Sequence, residues 1–590
     1  SMPLGGLTFD QLEEELSDFS CKFDGEQEFV DKMNSLSQQF HLEADDLINE
    51  TMTYAMNVKR ADLDLGFLEA FEAYYKKKTA PSAVSKSKPR TVLADLKTTT
   101  PAGTPRRATR LDVSSMEVDD ELDITLPRLD CADAPQHVTE FVIQNSRAGS
   151  GWFVARADVG KVVASLGGNV GRERSGKKAP VNIAVKQLVA SAKQQVYGEP
   201  KAAGVLEGMN ARLEAYGEDV RAANAALMGD APYTSLVRDT ETPVFVIGFV
   251  GAFDARADMS TIELERDEAE GAVAVTVDVS ALDERCFFPG QMAVFQGTNR
   301  AGNLFEASAR LTADGQACAT VCRGEEDAVV WVAAGPFTPP SAASYEPLAE
   351  IVERARVEQP DVLVLIGPLA DRTSRFLVSK ECTANEDQIT HTLLTRIAKK
   401  MKGSATRVLF MPSATRDGAA IPVYPGAGLR EEWKGEVVEI VSDPVVLVLG
   451  GGGGGVEVAV TASDVVTHLS RAESHSSANK ENTDRMKRVA GHMLEQRSLY
   501  PLYPPSLAAS LEGIHTACTL RGKQPHVIVA PAMLTAFVKS AYGSVIVNPG
   551  SACKGASVGT LMKMRIGLTE IPDGGSANLE KYTHVSIAKI

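Results

Sequence analysis

Cysteine is scarce in this 590-residue chain: eight residues are scattered along it, with no CxxC pair. Such spacing excludes a zinc ribbon and a disulfide scaffold, so a reducing compartment is expected. The nearest approach, Cys318 and Cys322, has no second pair downstream. Histidine is almost as rare, at nine, and none stands in the HxH, HExxH or DxH spacing from which metal centres are built. Long apolar runs are missing too. No stretch approaches a membrane span, and the first 25 residues are acidic and lack the apolar core of a secretory leader. A basic excess is also absent: 61 Lys and Arg face 77 Asp and Glu, a net charge of −16. Phosphate contacts need clustered cations, which disfavours a dedicated nucleic-acid surface but not a place beside a DNA-binding protein.

What is present is an ordinary globular composition, 44% hydrophobic and 23% charged, in a chain long enough for about three or four domains. Residues 8–78 carry four amphipathic patterns. Thr8-Phe9-Asp10-Gln11 is a capping box ahead of Leu12, Leu16 and Phe19. Then come Phe29, Met33, Leu36 and Phe40; Leu47, Ile48, Met52 and Met56; and Phe67, Leu68, Phe71 and Tyr75. A small acidic helical domain over 1–78 follows, either a plain bundle or a docking module. Residues 79–135 are rich in Thr, Pro, Ser and Ala without apolar periodicity, so a disordered linker is expected. Within it Thr100-Pro101 and Thr104-Pro105-Arg106-Arg107 match proline-directed phosphorylation sites.

Residues 136–325 alternate short strands with one helical insertion near 200–228, which suggests a small β-barrel. From residue 326 onward, near-continuous apolar strands such as Asp361–Ile366 and Arg407–Met411 alternate with helical patterns, which implies a sheet covered on both faces. Two glycine motifs invite a nucleotide reading. Gly171-x4-Gly176-Lys177 is followed by Lys178 where a magnesium-binding hydroxyl should stand, so a flexible basic loop is the better reading. The run Gly450–Gly455 lies between two strands rather than before a helix, so an expanded hairpin turn is expected.

Three stretches resemble one family. Phe287-Phe288-Pro289-Gly290-Gln291 with Phe295-Gln296-Gly297-Thr298-Asn299 is similar to the barrel of the B subunits of eukaryotic replicative DNA polymerases. Ala334-Gly335-Pro336-Phe337, Tyr345-Glu346-Pro347-Leu348, Pro360-Asp361-Val362 and Gly367-Pro368-Leu369 resemble the next part of that family. Gln496–Pro505, with its RSLYPLYPP run, and Val547-Asn548-Pro549-Gly550 resemble its C-terminal part, and the tyrosine–proline run points to the alpha branch rather than delta or epsilon.

The resemblance implies a multidomain α+β chain: an N-terminal helical bundle, a disordered linker, an OB-type β-barrel, and an α/β calcineurin-like phosphoesterase domain lacking its metal site. Active phosphoesterases of that kind hold two metals at the strand ends. Here the corresponding positions are Ala334, Pro336, Pro368, Asp371, Asp417, Pro531 and Met533, and only the two acids could donate to a metal. No catalysis, metal or cofactor is therefore expected. The implied role is a noncatalytic nuclear scaffold that grips the zinc-bearing C-terminal region of the polymerase alpha catalytic subunit. Primase would be reached indirectly, other replication factors through residues 1–78, DNA weakly or not directly, and membranes not at all. The competing readings are an active metallophosphoesterase or nuclease like the archaeal family D small subunit, the B subunit of another replicative polymerase, and a barrel that binds single-stranded DNA. The last needs stacking aromatics beside a basic groove, whereas Phe245, Phe249 and Phe295 sit in apolar patterns that read as core.

Overall fold

A computed structural model of the chain describes residues 27–40, 65–79, 158–167, 181–189, 202–251, 260–268, 271–313 and 318–590, apart from short breaks at 380–381, 430–434, 436, 451–453, 478–483, 521–522 and 556, together with a few isolated positions. The chain divides into two units, residues 1–122 and 123–590. In the first, α1 (Gln27–Phe40) and α2 (Leu65–Thr79) bury Phe29, Met33, Leu36, Phe67, Leu68 and Phe71, and Lys32 pairs with Glu72 at 2.5 Å. These are the second and fourth of the four patterns read from sequence. The first and third, like the linker with Thr100 and Thr104 and the loop 171–178, lie outside the described residues.

The second unit begins with β1 (Val162–Leu166), β2 (Ile183–Gln187) and the long helix α3 (Ala202–Ala223). The next strands are β3 (Thr240–Val250), β4 (Thr261–Glu268), β5 (Gly271–Asp278), β6 (Glu284–Phe287), β7 (Met292–Asn299) and β8 (Leu304–Leu311). Five of them close a barrel in the order β8-β5-β4-β3-β7. Phe295 is buried inside it, and Phe245 and Phe249 are buried on its outer face beneath α3, so all three are core, as their patterns suggested.

The rest of the chain continues with β9 (Ala328–Ala334), α4 (Glu346–Glu358), β10 (Val362–Ile366), α5 (Glu386–Met401), β11 (Arg407–Met411), β12 (Val438–Ile440), β13 (Val445–Leu449) and β14 (Val456–Val460). It ends with α6 (Val465–Ala472), β15 (Ser474–Ser477), α7 (Arg485–Glu495), β16 (Val527–Val529), β17 (Phe537–Ala541), β18 (Ser544–Asn548), β19 (Thr560–Ile566) and β20 (Thr583–Lys589). Two sheets result, β12-β11-β10-β9-β19-β20-β1 and β17-β18-β16-β14-β13-β2. They face each other. Val332, Val364 and Leu409 of the first share one apolar layer with Leu447, Val458 and Val529 of the second. On the outer faces Leu365 and Phe410 pack beneath α4 and α5, and Ile528 and Ile546 beneath α6 and α7. Period-two alternation sends neighbouring side chains to opposite faces, and here both faces are covered. Each such side chain removed from water stabilises the fold by roughly 1.5–3 kcal/mol.

Two expectations change. The cover on the inner face of each sheet is another sheet, not a helix layer; a strand buried on both sides reads alike under either cover. Residues 162–187, read as the start of the barrel domain 136–325, instead pair with β20 and β13 as edge strands of the two sheets. Their half-exposed patterns carry no mark of which sheet they join. The strands on either side of the glycine run, β13 and β14, pair antiparallel with Leu449 opposite Val456, while residues 451–453 of the run lie outside the described residues. Among the described residues no helix is long and apolar enough to cross a membrane.

Candidate functional site: vacant strand ends and a clasped junction

The positions singled out from sequence meet at one end of the two-sheet body. Ala334 ends β9, and the cis Gly335-Pro336 bond follows it. The cis Gly367-Pro368 bond follows β10, and Pro531 and Met533 follow β16. A cleft of about 630 Å³ lies between them, lined by Pro368, Arg416, Asp464, His468, Pro531 and Met533. Met533 stands 70% exposed at its rim.

Neither remaining acid is free for other chemistry. Asp371 pairs with Arg416 at 2.5 Å and accepts from the Thr373 hydroxyl at 2.8 Å. Asp417 is fully buried and accepts from the backbone N–H groups of Leu369 at 3.2 Å and Ala370 at 3.2 Å. Burial pushes its carboxyl up to about 7, against the pull of those N–H groups. Its Oδ2 would lie 2.2 Å from a Cβ at position 367, so only glycine fits there. Asn548 holds the last loop: its Oδ1 accepts from Ala532 N at 3.0 Å and Gly550 N at 2.9 Å, and its Nδ2 reaches the carbonyls of Leu534 and Thr535. A two-metal site needs several oxygen or imidazole donors converging on one point. Alanine, proline and methionine supply none of the required kind, and both carboxylates are committed to the fold; of the other donors in the cleft, Asp464 accepts from Thr467 N at 3.3 Å and Met533 N at 3.2 Å and His468 is taken up by Tyr500, so the residues present do not fit a metal pair.

The second feature is the junction between barrel and body, where two family-like runs meet. Phe288-Pro289-Gly290-Gln291 forms a turn, in which Phe288 N donates to Gln291 Oε1 at 3.2 Å. Gly290 has a φ of +82° and presses on Tyr503, whose Cβ would lie 2.5 Å from a Cβ at 290. Tyr503 N donates to Pro289 O at 3.1 Å. Gln496 grips the barrel backbone twice, accepting from Met292 N at 2.7 Å and donating to Met292 O at 3.1 Å. Tyr500, in the same run, turns inward, and its hydroxyl meets His468 Nδ1 at 2.9 Å. The alternation of the RSLYPLYPP run therefore has a physical cause: one tyrosine fills the body core and the next abuts the barrel.

Beside this contact lies a buried polar clasp that sequence reasoning did not find. β6 pairs antiparallel with β15, which sets Cys286 near Glu473 and His492. Cys286 Sγ lies 3.1 Å from Glu473 Oε1, and His492 Nε2 lies 2.8 Å from the same oxygen. Arg488 chelates Glu473 through two bonds of 2.9 Å, and Arg310 of the barrel pairs with Glu495. Burial pushes the Glu473 carboxyl up, but the bonds from His492 and Arg488 outweigh it and hold it at about 2. Burial likewise lowers His492, and its contacts with Cys286, Glu473 and Glu495 reverse this and raise it well above its ordinary value. Among the described residues Cys286, Glu473 and His492 are the one trio close enough to hold a metal ion, within 4.8 Å of one another. With Arg488 seated on the carboxylate, the trio reads as an ion-pair clasp. No single residue in it signals this from sequence, since its members span positions 286 to 495.

Two strands of the barrel carry acidic side chains outward. Glu263, Glu265 and Glu306 project from β4 and β8, and no aromatic side chain stands exposed on these strands. A closed five-stranded barrel joined to a two-sheet body fits the resemblance to the B subunits of replicative DNA polymerases read from the sequence. In agreement, the family model for the B subunit of DNA polymerases alpha and epsilon matches residues 330–539. Two narrower models describe the B subunit of DNA polymerase alpha alone: that of its OB domain matches residues 206–312, and that of its N-terminal part matches residues 10–78. The chain belongs to the family of DNA polymerase alpha B subunits. It is 25% identical to the DNA polymerase alpha B subunit of Caenorhabditis elegans, across 98% of this chain and 99% of that one. It is 29% identical to the Mus musculus protein of that name, across 70% and 69%, and 27% identical to that of Schizosaccharomyces pombe, across 58% and 63%.

Proposed function

We propose that the chain is a noncatalytic scaffold of a nuclear DNA polymerase alpha–primase assembly. Its body is a calcineurin-like phosphoesterase fold that has lost its metal site. Barrel and body together hold the C-terminal region of the catalytic subunit, and primase is reached through that subunit. Residues 1–78 are a docking domain for other replication factors, tethered by a linker over 79–135 that carries Thr100 and Thr104 as phosphorylation sites. The carrying observation is the combination at the strand ends: the loops remain ordered by Asp417 and Asn548, while Ala334, Pro336, Pro368, Pro531 and Met533 leave no donor for a metal. A fold kept without its chemistry is a surface available for contacts. The clasp supports the same reading, because it fixes barrel and body as one platform.

The test is co-expression of residues 136–590 with the C-terminal region of a polymerase alpha catalytic subunit, followed by gel filtration at low and at high salt. One-to-one co-elution in both is expected, because a large apolar contact is weakly screened. A requirement for residues 1–78, or loss of the complex at high salt, overturns the assignment of the scaffold to the C-terminal part.

A further inference from the structure

The loop that follows β16 is pinned through its backbone, yet it holds a large apolar side chain out in solvent. Ala532 N donates to Asn548 Oδ1 at 3.0 Å, and Met533 N donates to Asp464 Oδ2 at 3.2 Å. The carbonyls of Leu534 and Thr535 each accept from Asn548 Nδ2 at 3.2 Å. Two side chains thus fix four consecutive residues. Met533 nevertheless stands 70% exposed, the most exposed large hydrophobic side chain among the described residues. A single apolar side chain in water is ordinary by itself. On a fixed loop it is preorganised, so a partner that covers it does not have to order the backbone first. Methionine also adapts readily to the shape of what covers it.

Met533 lines two adjoining hollows. One is the cleft of about 630 Å³ at the strand ends, and the other has a volume of about 310 Å³; Arg416, Ala532, Gly550 and Ser551 also line both. The two differ in charge. The larger holds Asp464 and Arg416, each already engaged, Asp464 by backbone N–H groups and Arg416 by Asp371. The smaller is lined by Arg416, Lys554 and Lys589 and by no acid. Lys554 is exposed, and Lys589 is half-buried with its Nζ 3.5 Å from Val558 O. Among the described residues neither lysine is in an ion pair. In a chain of net charge −16, two unbalanced cations without an acid run against the rest of the composition. Leu534, Ala536 and Val163, the last 42% exposed, add apolar wall beside them.

We propose that this surface binds a short acidic segment of another protein, which covers Met533 with an apolar side chain and sets its carboxylates on Lys554 and Lys589. Nucleic acid is the poorer occupant, because no aromatic side chain lines either hollow for bases to stack on. Strand ends without metal donors thus become a peptide-docking face. The proposal rests on the reading of the body as a scaffold, and it names the face and the chemistry of one contact. Charges at the rim of an apolar anchor make such a contact sensitive to salt.

The test uses the full chain and fluorescence anisotropy. The probe is a short synthetic peptide alternating Glu with Leu; the same peptide with Lys in place of Glu, and oligothymidylate, are the comparisons. The Glu–Leu peptide should bind the wild type, more tightly at low salt than at high salt. Met533→Asp and Lys554→Glu should each bind it at least about tenfold more weakly, because each sets a new carboxylate against those of the peptide. Lys399→Glu makes the same charge change on α5, outside both hollows, and should bind as the wild type does. Met533 and Lys554 are exposed, so the variants should melt at the wild-type temperature. Absence of binding to the wild type, or an equal loss in Lys399→Glu, overturns the proposal. Tighter binding of the Lys–Leu peptide overturns the acidic occupant, and displacement of the Glu–Leu peptide by oligothymidylate overturns a protein occupant in favour of nucleic acid. The scaffold reading is scored separately, by co-elution with the catalytic subunit, and stands if only the peptide fails to bind.

Discussion

Replacing Gly290 by alanine should loosen the barrel from the body. Its φ of +82° costs an L residue roughly 1–2 kcal/mol. The new methyl would also stand 2.5 Å from Tyr503 Cβ and 2.6 Å from Tyr503 N. Backbone cannot swing aside as a long side chain can, so overpacking adds about 1–3 kcal/mol. The sum is about 2–5 kcal/mol. Gly403 provides the control: its φ is +81°, yet nothing lies within 4 Å of a Cβ there. Gly403→Ala should therefore cost only the backbone share, roughly 1–2 kcal/mol. The assay is urea unfolding of the full chain, followed by tryptophan fluorescence and far-ultraviolet circular dichroism. Gly290→Ala should lower the midpoint clearly more than Gly403→Ala, and should weaken the grip on the catalytic subunit. Equal midpoints for the two variants would refute the claim that Tyr503 is seated against the barrel turn.

Asp443 is fully buried, with Oδ1 accepting from Thr461 Oγ1 at 2.9 Å and Ala462 N at 2.9 Å, and with Oδ2 unpartnered. Burial pushes its carboxyl from 3.8 up to about 7. The folded chain thus holds this proton longer than the unfolded chain, so the contribution is full below about pH 4 and lost as pH rises through about 7, up to about 4 kcal/mol in all. Asp443→Asn should flatten the fall in stability between about pH 4 and 7; an unchanged slope would assign that fall to other groups. No manganese-dependent hydrolysis of a generic phosphodiester is expected, and activity that disappears in Asp371→Asn or Asp417→Asn would contradict the loss of the metal site. Phosphopeptide mapping of the protein from dividing cells should find Thr100 or Thr104 modified, each phosphate adding roughly −1.5 to −2 to a basic segment; both sites unmodified would remove that proposal.

The strands of the body were legible because Val362–Ile366 and Arg407–Met411 are apolar on both faces, and a helix or a second sheet as cover writes the same pattern. That degeneracy is why the pairing of two sheets was not. The barrel aromatics were read as core for the same reason, since Phe295 sits in an unbroken apolar run. The clasp was illegible: Arg310, Glu473, Arg488 and Glu495 each look like ordinary surface charge until β6 is laid beside β15.

The edge strand β1 carries a consequence for how the chain is made. Its partner is β20, so Val162–Leu166 pairs with a strand that is synthesised more than 400 residues later. The barrel is complete in sequence by Leu311 and can close while the ribosome is still working. The first sheet cannot. Until Thr583–Lys589 emerges, β1 and β19 are left without their shared neighbour, and their open backbone edges are exposed to other chains. A premature stop that removes only the β20 strand would therefore leave the barrel intact and the body unfinished. Such a product should be cleared by quality control or aggregate, rather than persist as a slightly shortened chain.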